Sequence, residues 1–518
     1  MMGVLDISSV FNVEETPDNY KDIIASYRSR IIQLESAFSN IEVEIMQIKK
    51  EKEKIEKHSL SQEKKLTIEP KTGLPNRRKL AQDFSDLFDL DVYKFSGKHL
   101  AILIVQLDKS YNVALKTFPS TIADWVISRL GSKLKATAKS AMVYHTKENE
   151  FIIVLKDLDK VEAVTNYARK ISNIIKTPEN ISGYRIKVGS NIGVAIFPEH
   201  GKTKEKLLTS ADIALGYAQQ RSLDFLFFEE KLRHLEVEKL ELQSCMVKAL
   251  EANVNTTMDQ QFAMYYQPII TVGEDADGVL KITEISAEAL VRWNHPTLGV
   301  ISPGKFIPLS EETGIIVLLG NWIMFKVTDM IAYWKKEFNL EIPASINVSS
   351  RQFNEGNIVD FIIKAIKARS LSPGLLRVEV TETSLISATA DILNKMLELR
   401  NAGIKISIDD FGTGYSSFNY LRQFAVDCLK IDKLFIDSIL HNTFDQAIIR
   451  AIIAMSADIN FDIVVEGVED FNQFEFLYKE GCRKFQGYLF SKPLPPEQFV
   501  DFYKSNINKK IALQNAVV

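Results

Sequence analysis

At 518 residues and 58.7 kDa the chain exceeds the size at which a single hydrophobic core stops growing, so two or more domains are expected. Its 46% hydrophobic and 25% charged residues, with a formal net charge of −4, match a soluble globular protein and give no support for bulk nucleic-acid binding. No run reaches the roughly 18 consecutive apolar residues of a membrane span, the opening MMGVLDISSVFNVEETPDNY lacks the parts of a signal peptide, and Cys245, Cys428 and Cys482 show no CxxC spacing, so a cytoplasmic protein without membrane segment, disulfide frame or zinc site is expected.

Apolar residues first recur in steps of three and four at Ile24, Tyr27, Ile31, Leu34, Phe38, Ile41, Ile45 and Ile48, with Ile55 resuming the register after Lys52. That spacing predicts a dimerising coiled coil within residues 1–66, and the alternative is an amphipathic helix packed on the adjoining domain. From 67 to 230, HLAILIVQL, AMVYH, EFIIVL and KVGSNIGVAIF read as strands separated by helical segments, an α/β sandwich. The run 231–256 has helical periodicity without glycine or proline and predicts a continuous linker helix. Within 257–506, short apolar runs end in polar residues: Glu288, Asn347, Glu379 with Glu382, Asp409 with Asp410, Lys430 with Asp432, Glu466 with Glu469, and Gln486. Buried parallel strands alternating with helices predict a (β/α)8 TIM-like barrel, whose chemistry lies at the carboxyl ends of its strands, and 507–518 is left as a tail. Carboxylates converging there repel unless cations lie among them, so this half is expected to hold metal.

These runs, in this order, resemble the EAL domain, the cyclic-di-GMP phosphodiesterase family of bacteria: YYQPI from Tyr265, Glu288-Ala289-Leu290, Asn347-Val348-Ser349, Glu379-Val380-Thr381-Glu382, DDFGTG from Asp409, Lys430-Ile431-Asp432, Glu466-Gly467-Val468-Glu469 and Gln486-Gly487-Tyr488. The resemblance implies hydrolysis of cyclic di-GMP to linear pGpG with two divalent cations, Mg²⁺ or Mn²⁺. It implies metal ligation by Glu288, Asn347, Glu379, Asp409 and Asp410, catalysis by Lys430 and Glu466, and substrate contacts from Gln267, Arg292 and Gln486. Glu382 would fix a switch loop from Phe411 to Ser417, and Asp432 and Glu469 would act as struts. Hard cations take oxygen ligands, so this donor set is chemically apt. Departures from the family pattern are an insertion at TVGEDADGVLK and replacements at Phe418 and Ala425, none of them in the expected metal shell.

The preceding segment resembles a GGDEF domain, the diguanylate cyclase family, through KTGLPNR from Lys71 and SNIGVAIFPEHG from Ser190. Its catalytic positions are degenerate. Lys147-Glu148-Asn149-Glu150-Phe151 replaces the glycine-bearing signature loop that lets backbone approach a phosphate. Gln106 replaces one metal aspartate and Asp108 remains; Ser110, Tyr111, Ala114 and Leu115 replace other site residues, and Ala138 and Ala141 stand at the inhibitory product site. The expectation is a phosphodiesterase joined to an inactive cyclase-like module, homodimeric through the coiled coil and the EAL domain, with a protein partner as one source of its signal. The alternative is a receptor that binds cyclic di-GMP without cutting it.

Overall fold

The computed structural model describes residues 18–87, 98–138, 141–181, 183–255, 261–382, 390–412, 426–459 and 461–511. The opening stretch before residue 18, the switch-loop positions 413–417, and Phe418 and Ala425 lie outside them. The chain divides into two compact units, Met1–Glu236 and Val237–Val518.

The first unit opens with helix α1, Asp18–Thr67, whose apolar stripe stays exposed. Its sheet takes strands β1 His99–Leu107, β2 Met142–Lys147, β3 Glu150–Leu158, β6 Ser190–Phe197 and β7 Phe225–Phe227 in the order β2-β3-β1-β6-β7, while β4 Glu179–Ile181 and β5 Tyr184–Ile186 form a separate hairpin. Strand β1 is apolar from Leu100 to Val105 because both its faces are covered there: Leu103 and Val105 pack into one core, Ile102 and Ile104 into the other. Helix α2, Glu230–Asn255, is unbroken, as its sequence predicts, and crosses the division between the units.

The second unit is an eight-stranded closed barrel: β8 Phe262–Glu274, β9 Leu280–His295, β11 Ala344–Asn347, β12 Leu376–Thr381, β13 Lys405–Phe411, β14 Cys428–Ile431, β15 Asp462–Val465 and β16 Lys484–Gln486. A short strand β10, Gly299–Ile301, pairs with the end of β9. Pairing is parallel from β9 through β16, but β8 runs antiparallel to both its neighbours. This corrects the all-parallel expectation. The residues joining β8 to β9 form a hairpin turn, too short for a crossover helix, so the two strands must run in opposite directions. The TVGEDADGVLK insertion builds that hairpin end, and the chain pairs beyond residue 506: Asn508 donates to the Ile282 carbonyl and Ile511 to that of Leu280.

Helix α3, Ile315–Phe338, is the one described helix long and apolar enough by composition to cross a membrane. Its apolar side is satisfied within the barrel unit: Leu319, Val327, Ile331 and Trp334 are fully buried, and Trp334 stacks on Phe499 and meets Tyr266 edge-on. Ile439, Ile449 and Ile452 are likewise core, and the three cysteines are free.

Candidate functional site

The short strands of the barrel carry apolar residues into the core and set a polar residue at or beside their carboxyl ends. Glu288 lies on β9 beside Gln267 of β8, Asn347 ends β11 opposite Glu379 of β12, and Asp409 lies near the end of β13. Lys430 lies on β14, Glu466 directly follows β15, and Gln486 ends β16. Parallel neighbours in register bring all of these to one mouth.

Lys430 organises the centre. Its side chain is 1% exposed, and its ammonium lies 2.7 Å from Glu379, 3.2 Å from Glu288, 3.1 Å from Asp409 and 2.5 Å from Glu466. Burial opposes its charge, yet the four carboxylates outweigh that and hold its pKa well above the lysine range. One ammonium cannot neutralise four carboxylates. The excess appears in the acids: burial, reinforced by Glu288 and Asp409 and opposed by Lys430, pushes Glu379 up to about 8, and burial likewise holds Glu466 well above the carboxylate range. Asp410, at φ +53°, is pushed up to about 6 by burial, by Asp409 and by a hydrogen bond with Asp432.

Two acidic groups converge closely enough to hold a cation, Glu288 with Glu379 and Asp409, and Asp409 with Asp410 and Glu466; Asp409 belongs to both. The Asn347 amide nitrogen donates to Glu288 at 2.8 Å, which leaves its oxygen available as a further ligand. Asp409 Oδ1 and Glu466 Oε1 are buried within reach of the ammonium but accept no hydrogen bond of good geometry. Buried oxygen acceptors left short of donors, in a carboxylate-rich set, fit hard divalent cations.

Around this centre Gln486 donates to Glu288 at 2.7 Å and to Gln267 at 3.2 Å, and Gln267 donates to the Ser491 carbonyl. Glu382, buried after β12, accepts the Gly412 backbone N–H at 2.8 Å and so grips the chain two residues past Asp410. At Gly412 φ is +100°, and a Cβ there would lie 2.8 Å from the Phe435 ring, so both backbone and space require glycine. Asp432 caps the helical turn after β14 by accepting the Leu434 N–H, and Glu469 forms an exposed ion pair with Lys433. Arg292 is half-buried beside the Tyr265 ring, 5.6 Å from its centroid, at the edge of a 380 Å³ cavity that Asn347 and Glu379 also line. Leu290, Ile307, Pro308 and Ile316 supply apolar walls, and Glu311 lines it with a carboxyl whose pKa burial raises. Sequence reasoning missed this cavity, because wall residues from helices share the periodicity of ordinary core positions.

The cyclase-like positions of the first unit look different. Asp108 accepts the Ser110 N–H at 2.9 Å and also bonds the Ser110 hydroxyl, while Gly189 presses against it so closely that a Cβ would lie 2.0 Å from Oδ2. Gln106 accepts from Gln219 at 3.0 Å. Tyr111 is buried, with its phenol pushed up to about 12 by burial. In the β2–β3 hairpin Glu150 accepts from Lys147 and Thr146, both at 2.7 Å. Among the described residues, no acidic group able to hold a metal occurs in this unit.

Comparison with known proteins matches residues 250–493 to the EAL domain family and 67–223 to the diguanylate cyclase, GGDEF domain family. The chain is 31% identical over 431 residues to the bifunctional diguanylate cyclase/cyclic di-GMP phosphodiesterase MucR of Pseudomonas aeruginosa, covering 83% of this chain and 60% of MucR. A solved structure of the PaMucR phosphodiesterase in complex with c-di-GMP is 36% identical, with TM-score 0.44, over 49% of this chain and 99% of that one. The Vibrio cholerae LapD S helix-GGDEF-EAL structure, bound to c-di-GMP, is similar in fold at 17% identity and TM-score 0.53, over 84% of this chain and 98% of that one. The chain spans about half to three-fifths of the length of the curated relatives it matches.

Proposed function

The chain belongs to the tandem GGDEF–EAL family, and from that premise we propose that it is a cytoplasmic cyclic-di-GMP phosphodiesterase that opens its substrate to linear pGpG. The observation that carries the reading is the pair of oxygen-only clusters sharing Asp409 at one barrel mouth. Glu288, Asn347, Glu379 and Asp409 would hold one divalent cation, and Asp409, Asp410 and Glu466 a second. Bound there, Mg²⁺ or Mn²⁺ supplies charge neutralisation at the phosphoryl oxygens and makes bound water more acidic.

The remaining work falls to the chain's own groups. Glu466, at the edge of the second cluster and beside the Lys430 ammonium, is placed to take the proton of the attacking water. Lys430 keeps the carboxylates together and sets positive charge where charge develops on phosphate oxygens. Arg292 holds a substrate phosphate at the cavity edge, while Gln267 and Gln486, tied to each other and to Glu288, orient the substrate. Glu382, through Gly412, fixes the backbone that presents Asp409 and Asp410; Asp432 and Glu469 serve as struts.

In this reading 1–66 dimerises as a coiled coil, 67–230 is a cyclase-like module without synthase activity, 231–256 links and 257–506 hydrolyses, while the residues just after 506 extend the barrel unit by pairing with β9. Asp108 and Gln106, engaged with their own neighbours, support the loss of cyclase chemistry. The module then serves assembly or regulation, with homodimerisation through coiled coil and barrel and an input from a protein partner. Turnover of cyclic di-GMP to pGpG should vanish with a chelator and return with Mg²⁺ or Mn²⁺. Tight binding without product would instead make the chain a receptor.

A further inference from the structure

The second acidic group is assembled from two segments, Asp409–Asp410 on β13 and Glu466 after β15, and strand pairing leaves slack in both. Asp409 is paired to β12, but the ladder to β14 is interrupted between Ile408 and Phe411, where Asp410 takes φ +53°. Glu466 gives its N–H to the Ile431 carbonyl at 3.0 Å, and the chain then turns off the sheet at Gly467, φ +66°. Lys430 draws Asp409 and Glu466 towards one ammonium, so the backbones beneath them need a stop.

The helical turn Lys433–Asp437 follows β14, the strand between the two segments, and touches both. On one side the Phe435 ring packs on Gly412, two residues past Asp410. On the other the Lys433 stem lies across Gly467, so close that a Cβ there would overlap Lys433 Cβ and Cγ. The Lys433 ammonium continues to Glu469 at 2.5 Å, and so the side chain straps the run from Glu466 to Glu469. The turn is held on its own account: Asp432 accepts the Leu434 N–H at 2.8 Å, Gln473 donates to the Ile436 carbonyl at 3.1 Å, and Ile436 is fully buried. An exposed ion pair such as Lys433–Glu469 adds little stability, so what the strap contributes is placement.

Resting on the two-cation reading above, we infer that Lys433 and Phe435 are positioning residues that set the distance between the Asp409–Asp410 pair and Glu466, and with it the fit of the second divalent cation. Glu288, Asn347 and Glu379 stand on other strands, so the first cation keeps these ligands when that distance changes.

The test uses the full chain and reads Mn²⁺ binding by calorimetry beside turnover of cyclic di-GMP. Lys433→Ala and Phe435→Leu should each weaken one of two Mn²⁺ binding steps roughly 10- to 100-fold and spare the other, the scale for losing an outer support of a metal ligand. With them kcat should fall while KM holds, and Lys433→Arg, which keeps both stem and charge, should recover most of the loss. Wild-type values for both binding steps in Lys433→Ala, or a raised KM at unchanged kcat, would overturn the inference. A wild type that takes up a single Mn²⁺ and still hydrolyses would instead remove the two-cation reading. The contact is decided without metal: in chelator, Gly467→Ala should lower the melting temperature more in wild type than in a Lys433→Gly background. Equal losses in the two backgrounds would overturn the inference whatever the cations do.

Discussion

The two units hold acidic residues at comparable places, near the ends of sheet strands, yet the surroundings give them opposite fates. Asp108 is capped by Ser110 and crowded by Gly189, so its charge is spent on local structure. Asp409 shares one buried ammonium with three other carboxylates and keeps an oxygen without a hydrogen bond. A carboxylate satisfied by its neighbours is architecture, whereas carboxylates left in excess of their neighbours need something from outside. That contrast locates the chemistry better than the count of acidic residues does.

The strongest way to break the contrast is Lys430→Met. It strips the cluster of the ammonium at its centre, and breaking a buried charge set in this way costs about 3–5 kcal/mol of stability in chelator. Divalent cation should recover much of the loss in thermal melts, while hydrolysis stays low; unchanged melting in chelator would contradict the central role of Lys430.

Proton content sharpens the same point. Folding raises Glu379 to about 8 and Asp410 to about 6, so the folded state binds more protons than the unfolded chain above their ordinary carboxylate values. Their contribution to stability is full below those ordinary values and is lost as pH rises through about 6 and then about 8. Metal-free protein should therefore lose melting temperature between about pH 5 and 8, and added Mg²⁺ or Mn²⁺ should reverse the loss most strongly at about pH 8, with protons released on binding. A smaller effect is expected for Glu382→Ala, which leaves the Gly412 N–H without its acceptor and costs about 1–3 kcal/mol; cation affinity, read by calorimetry, should fall with it. The smallest is Asp108→Ala, which removes one helix cap at about 1 kcal/mol and should leave hydrolysis of cyclic di-GMP unchanged.

Much of the barrel was legible because its short strands write themselves as apolar runs, and the residue at the end of each, such as Asn347 or Glu379, has no packing reason to be polar. The antiparallel β8 was hidden, since apolar content does not encode direction and only the short connection to β9 does. The central place of Lys430 was half visible: its strand position could be read, but four carboxylates meeting one ammonium is a property of register between strands far apart in sequence. Glu311 and the cavity walls were invisible for the same reason, being assembled from helix faces that read as core.

The most direct measurement is conversion of cyclic di-GMP by purified protein with Mg²⁺ or Mn²⁺, beside Glu288→Ala. Wild type should release pGpG, and the variant should be slower by at least about 100-fold, the scale for removing one group that stabilises transition-state charge. Folded, dimeric wild-type protein that binds cyclic di-GMP and releases no pGpG would contradict a hydrolytic barrel.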